Sequence, residues 1–158
     1  MPTILVTGGL GYIGSHSCLA LARAGYALVI VDSLVNSKRM VFDRLREIAP
    51  AAAMTFYQAD LRDAAALERA FSQAPIEAVI HFAGLKAVGE SVEKPLLYYA
   101  NNVGGTVELL EAMARHSVRR MVFSSSATVY GEPLELPIPE THRLAPTNPY
   151  GKTKLVIE

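Results

Sequence analysis

One cysteine stands in 158 residues, so no internal disulfide is available, and Cys18 fits a reducing compartment. Excess charge of either sign is missing too, with 15 basic residues against 15 acidic ones. No bulk field therefore draws the chain to nucleic acid or to an anionic membrane. The longest basic runs are pairs such as Lys38-Arg39 and Arg119-Arg120. No apolar run approaches the roughly 20 residues that a membrane helix requires. Met1, Pro2 and Thr3 lead straight into a short apolar strand, with no basic segment or cleavage signal ahead of it. His, Cys, Asp and Glu do not gather at metal-ligand spacing, so no metal is expected. His81 reads as a core strand histidine, and His16 and Cys18 as packing residues of the first helix. These absences leave a cytoplasmic protein with neither a membrane nor a nucleic acid as partner.

Apolar material is abundant. At 51% hydrophobic residues and a mean hydropathy of +0.23, the chain can fill one compact domain with its own core. Short apolar runs alternate with amphipathic stretches. Residues 3–7, 27–31, 54–58, 78–82 and 121–124 read as strands. Residues 12–24 read as a helix closed by Gly25, 38–48 as a helix stopped by Pro50, and 63–73 as a helix with Asp63 as N-cap. Residues 95–116 read as one long helix, and 125–149 as loop. Nearly continuous apolar strands between helices point to an α/β fold with a doubly wound parallel sheet, covered on both faces. A helix starting at Tyr150 has barely two turns before Glu158. The expectation is a Rossmann domain over residues 1–158, truncated before the substrate domain.

Glycines at 8, 11 and 14 fall between the first strand and the first helix. In such a turn the first glycine permits the tight bend and the second lets the backbone approach a pyrophosphate. The third lets the helix sit close on the sheet. The helix N-terminus offers amide donors and the positive end of its dipole to the phosphates. Asp32, 18 residues beyond Gly14, closes the second strand, where a carboxylate accepts from ribose hydroxyls and repels a 2′-phosphate. That favours NAD. Lys38 and Arg39 are near enough in sequence to meet a 2′-phosphate, which leaves NADP open.

Tyr150 and Lys154 are spaced i, i+4, so on a helix they share a face. A free phenol, with a pKa near ~10, is a poor base at neutral pH. A neighbouring ammonium stabilises the phenolate and lowers that value. Ser124, Ser125 and Ser126 lie at the carboxyl end of the fifth strand, the ligand edge of open α/β sheets. Spacing alone does not choose among the three.

The chain resembles the extended short-chain dehydrogenase/reductase family, and within it the UDP-glucose 4-epimerase branch. The resemblance rests on His81-Phe82-Ala83-Gly84-Leu85-Lys86-Ala87-Val88-Gly89-Glu90-Ser91-Val92, on Tyr98-Tyr99-Ala100-Asn101-Asn102-Val103, and on Phe123 through Gly131. It implies an NAD-dependent interconversion of UDP-glucose and UDP-galactose through a 4-keto intermediate, by a homodimer in the full-length form. The 158 residues alone would then be weakly active or inactive. The resemblance also places Tyr12 and Ile13 against the pyrophosphate, and Asp32 with Asn36 and Ser37 at the adenosine ribose. Asp60 and Leu61 would frame the adenine, and Phe82, Ala83, Gly84, Lys86 and Asn101 would line the cofactor path. Ser126 and Tyr150 would touch the sugar, and Lys154 would bridge Tyr150 and the nicotinamide ribose. Dehydratases of this family carry Thr-Asp-Glu where this chain has Ser126-Ala127-Thr128, which speaks against elimination of water. A nucleotide-sugar dehydratase, a UDP-uronate epimerase or decarboxylase, and a non-catalytic NAD-binding fragment are the other readings.

Overall fold

A computed structural model describes all residues, 1–158. In chain order the elements are β1 (Thr3–Thr7), α1 (Tyr12–Arg23), β2 (Ala27–Asp32), α2 (Met40–Ile48), β3 (Met54–Gln58), α3 (Ala64–Phe71) and β4 (Ile76–His81). Then come α4 (Val88–Glu93), α5 (Pro95–Tyr98), a π-helical turn (Tyr99–Gly104), α6 (Gly105–Arg115), β5 (Met121–Phe123), a 3₁₀ turn (Ala127–Tyr130) and α7 (Pro149–Ile157). The chain forms two compact units, Met1–Ala83 with Val107–Ser124, and Gly84–Thr106 with Ser125–Glu158.

The first unit holds the whole sheet, five parallel strands in the order β3-β2-β1-β4-β5. Alternate residues of each strand serve opposite faces. Leu5, Val29, Val31 and Val79 join Leu67 and Phe71 of α3 and Leu109 and Met113 of α6 in one core. Ile4, Val6, Leu28 and Ile30 join Cys18 of α1 and Phe42 and Leu45 of α2 in the other. A parallel sheet buried on both faces needs apolar residues at successive positions, which is why β1 and β2 read as unbroken apolar runs. The order reverses beside β1: the connection after β1 leads to β2, and β4 lies on its other side. That reversal is the switch point at which open sheets bind ligands. Asp63 caps α3 as its position predicts, accepting from the Ala66 amide at 3.0 Å. Gly25, at φ +88°, ends α1.

The second unit contains α4, α5, the π-helical turn, the 3₁₀ turn and α7, and α7 packs against the other four. Here the structure departs from the sequence reading. The stretch 95–116 is helical from Pro95 to Arg115, as expected, but α5 and α6 are joined by the π turn without a break rather than forming one regular α-helix. Two further elements, α4 and the 3₁₀ turn, stand in segments read without regular structure.

Candidate functional site

In the first unit the loop after β1 is held by its own backbone and by the neighbouring strands. Gly8 donates to Val31 O at 2.8 Å, and Phe82 donates to Thr7 O at 3.0 Å. The Thr7 hydroxyl pairs with His81 Nδ1 at 2.6 Å, and the buried His81 ring stacks on Phe123, as a core histidine should. Gly8 has φ +65°, and a Cβ there would lie 2.6 Å from Ala83 N. A Cβ on Gly14 would lie 2.2 Å from Gly8 O. Both glycines are required by sterics: the loop folds so closely on itself and on the end of β4 that no side chain fits. Gly11 is the N-cap of α1 and no side chain caps that end, so the first-turn amides are left for an outside acceptor. Tyr12 and Ile13 on that turn are exposed.

Asp32 is only 8% exposed. Its Oδ2 accepts Leu10 N at 3.0 Å, and its Oδ1 accepts Leu34 N at 2.9 Å and Ser37 Oγ at 2.7 Å. A carboxylate has about four lone-pair sites, so one acceptor position stays available for a ligand hydroxyl. Ser37 therefore meets Asp32 directly, while Asn36 is exposed beside it. The Arg39 guanidinium lies over Phe42 and Phe56, 5.4 and 5.0 Å from their ring centres, and so has its own partners. Asp60 is clamped by Arg62, whose Nε and Nη2 reach it at 2.9 and 2.6 Å and hold its carboxyl below the usual range. Leu61 beside it is buried, and Phe82 and Ala83 are half-buried at the end of β4. Burial pushes the Cys18 thiol up to about 12, which leaves it inert in the α1 core. His16 corrects its expectation: it is exposed, with its ring edge-on to Tyr12 at 5.1 Å. Two residues on from Gly14, it falls on the outward face of α1.

In the second unit α7 begins at Asn148, whose side chain accepts Gly151 N at 2.8 Å, followed by Pro149 at the first helical position. Tyr150 therefore sits in the first turn, where the helix dipole favours an anion. It is 8% exposed, and Lys154 is 5% exposed. Lys154 Nζ is 6.0 Å from the centre of the Tyr150 ring. Burial lowers the Lys154 pKa from 10.5 to about 8, so the ammonium still carries its charge at neutral pH. Ser126 Oγ accepts Thr128 Oγ1 at 2.9 Å and Thr128 N at 3.3 Å, which keeps its own proton for donation outward. Ser125 instead donates to Glu158. A Cβ on Gly151 would lie 2.9 Å from Thr128 O, so the turn after Ser126 sits directly on α7.

The hub of this unit is Asn102, which sequence reasoning passed over in favour of Asn101. Asn102 is buried, accepts Leu85 N at 2.8 Å and donates to Leu85 O at 2.9 Å and Thr153 Oγ1 at 3.2 Å. Thr153 in turn donates to Tyr150 O at 2.7 Å. Asn101 reaches the hub by donating to Asn102 Oδ1 at 3.0 Å. A Cβ on Gly84 would lie 3.4 Å from Asn102 Oδ1 and 3.8 Å from Lys154 Nζ. Lys86, one residue past Leu85, is exposed. A polar residue aligned with Tyr98 and Thr106 at spacings of four was the available signal, since the helix buries that stripe. No group of three or more His, Cys, Asp or Glu side chains is placed to hold a metal ion, and no helix is long and apolar enough to cross a membrane.

A strand, a glycine turn, an uncapped helix N-terminus and a buried acid after the second strand compose the dinucleotide-binding arrangement of open α/β sheets. The chain belongs to the GDP-mannose 4,6 dehydratase family, whose description matches residues 5–158. Within it, the relatives it resembles are UDP-glucose 4-epimerases, as the motifs imply. It is 56% identical over 158 residues to UDP-glucose 4-epimerase 2 of Arabidopsis thaliana, covering 99% of this chain and 45% of the relative. It superposes with a TM-score of 0.94 on the Stenotrophomonas maltophila UDP-glucose-4-epimerase with bound NAD and formylated UDP-arabinopyranose. That match has 47% identity and covers 99% of this chain and 46% of the other. The Bifidobacterium longum UDP-glucose 4-epimerase in complex with NAD+ and UDP gives the same TM-score at 48% identity, covering 98% and 46%. The chain thus spans under half the length of these relatives.

Proposed function

We propose that residues 1–158 are the NAD-binding Rossmann domain of a UDP-glucose 4-epimerase, which interconverts UDP-glucose and UDP-galactose through a 4-keto intermediate. The observation that carries this reading is the buried Lys154 ammonium 6.0 Å from the Tyr150 ring centre, at the N-terminal end of α7. Both the charge and the helix dipole stabilise a phenolate, which is what a base at neutral pH requires.

The first unit fits NAD. Gly8, Gly11 and Gly14, with Tyr12 and Ile13, would receive the pyrophosphate, and Asp32, Asn36 and Ser37 the adenosine ribose. Asp60 and Leu61 would border the adenine, and Phe82 and Ala83 the rest of the cofactor; Gly84, Lys86 and Asn101, of the second unit, are the further cofactor residues that the resemblance implies. The buried Asp32 charge opposes a 2′-phosphate, and Arg39 is engaged with two rings, which supports NAD over NADP. When bound, NAD would supply the acceptor and donor of a hydride for C4 of the sugar. Tyr150 accepts the 4-hydroxyl proton and later gives it back. Lys154 would hold the phenolate and would also face the nicotinamide ribose. Ser126, whose oxygen already accepts from Thr128, would donate a hydrogen bond to the sugar oxygen. Ala127 and Thr128 follow Ser126 where a dehydratase needs acids, which supports epimerisation. A homodimer is the expected assembly, with Val107 and Leu110 on the exposed side of α6 as contact residues. The cytoplasm is the expected compartment, in keeping with the single reduced Cys18.

The test is conversion of UDP-galactose to UDP-glucose by the full-length protein in the presence of NAD, with Tyr150→Phe as the decisive variant and the 158 residues alone expected to be weakly active or inactive. That variant is expected to bind NAD like the wild type while the rate falls by about 10³. An undiminished rate in Tyr150→Phe, or a 6-deoxy-4-keto product, would overturn the reading.

A further inference from the structure

Tyr98 heads the fully buried side chains of the molecule by volume, yet it carries a hydroxyl. That oxygen accepts the Ala87 amide at 3.0 Å and donates to Glu90 Oε2 at 3.0 Å. Ala87 is the N-cap of α4 and has no capping side chain of its own. The phenol, eleven residues further along on α5, occupies the amide that a local cap would leave open. Glu90 is steadied by Lys94 Nζ at 3.3 Å. Burial, and then the Glu90 carboxylate, push the Tyr98 phenol above its ordinary value, so it stays a donor at neutral pH.

Lys86 stands between two pinned neighbours. On one side Asn102 takes both the N–H and the C=O of Leu85, and on the other Tyr98 takes the N–H of Ala87. The ammonium stem of Lys86 is exposed while its backbone is clamped on both flanks. Both α4 and α5 pack on α7, the helix that carries Tyr150.

We infer that Tyr98 is a positioning residue, whose hydroxyl bridges Ala87 and Glu90 and thereby sets the 84–87 segment to present Lys86 to the cofactor. The inference rests on the NAD reading above. Tyr98→Phe keeps the ring and removes both bonds. The Ala87 amide is expected to exchange with solvent about tenfold faster, and the NAD dissociation constant to rise about three- to tenfold. Glu90→Gln, whose amide oxygen still accepts from Tyr98, is expected to stay within about twofold of wild type in both. If Tyr98→Phe does not fold, Glu90→Leu removes the acceptor and should move both quantities in the same direction. Unchanged Ala87 exchange, or unchanged NAD affinity where the wild type binds NAD, overturns the inference. A wild type that does not bind NAD overturns the cofactor reading instead, and the Ala87 exchange then decides alone whether Tyr98 holds the segment.

Discussion

In the loop after β1, the groups proposed to meet a ligand are backbone amides, and their neighbours are glycines that exclude any Cβ. On α7 and beside the 3₁₀ turn they are side chains, a phenol, an ammonium and a hydroxyl; Thr128 donates to the Ser126 hydroxyl, and Thr153 ties the Tyr150 carbonyl to Asn102. The first region relies on close approach, so its tolerance is steric and nearly absolute. The second relies on charge and on buried hydrogen bonds, so its tolerance is chemical. A backbone site needs only an acceptor of the right shape, which suits a constant cofactor. Proton transfer needs a particular group with a tuned pKa.

Three substitutions sharpen that difference. Gly14→Ala has the largest expected effect on the fold, because its Cβ meets Gly8 O at 2.2 Å and Gly9 Cα at 2.8 Å, both backbone. Thermal unfolding should show a loss of about 3 kcal/mol or more, with NAD binding abolished in calorimetry. A stable, NAD-binding Gly14→Ala protein would mean that the loop yields, and the steric account would fall.

Lys154→Met works in the opposite direction on stability. The lysine titrates near 10.5 when unfolded and about 8 when folded, so burying its charge costs up to about 3 kcal/mol at neutral pH. The variant should be more stable than wild type by up to that amount below about pH 8. Between about pH 8 and 10.5 the unfolded wild type binds more protons than the folded one. Wild-type stability therefore rises through that window, and the advantage of the variant disappears by its upper end. Turnover should be lost at every pH. Urea titrations at pH 7 and 10.5 check the stability, and a variant less stable at pH 7 would show that the ammonium is a structural support.

Asp32→Asn has the smallest expected cost, because the shape is kept. One carboxylate oxygen becomes an amide that faces the donors of Leu10, or of Leu34 and Ser37. A destabilisation of about 1–2 kcal/mol is expected, with weaker NAD binding. Unaltered NAD affinity would remove Asp32 from the ribose site while leaving its loop role intact.

The fold was legible because its signals are local. Apolar runs five or six residues long, the glycine turn and Asp63 ahead of α3 each act over a few positions. The helix over 95–116 was legible too, but not the π turn inside it. Its periodicity is helical throughout, and Asn102, in the π turn, meets Leu85 and Thr153, residues 17 and 51 positions away, which local order does not show. The short α4 escaped notice because Val88, Gly89 and Val92 are weak helix formers. Its entry is secured by Tyr98, a partner outside its own turn. His16 looked internal because the helical face turned to the core is set by which strands lie beneath, and α1 directs Cys18 there.

By itself, the sequence determined the alternation of strands and helices, the glycine turn with its acid, and the i, i+4 pairing of Tyr150 with Lys154, since each is decided by residues within one element or one turn. Only the tertiary structure decided the depressed pKa of Lys154, the choice of Asn102 as hub and the clamp on the backbone around Lys86. Burial and hydrogen-bond partners from distant segments have no representation in local order along the chain.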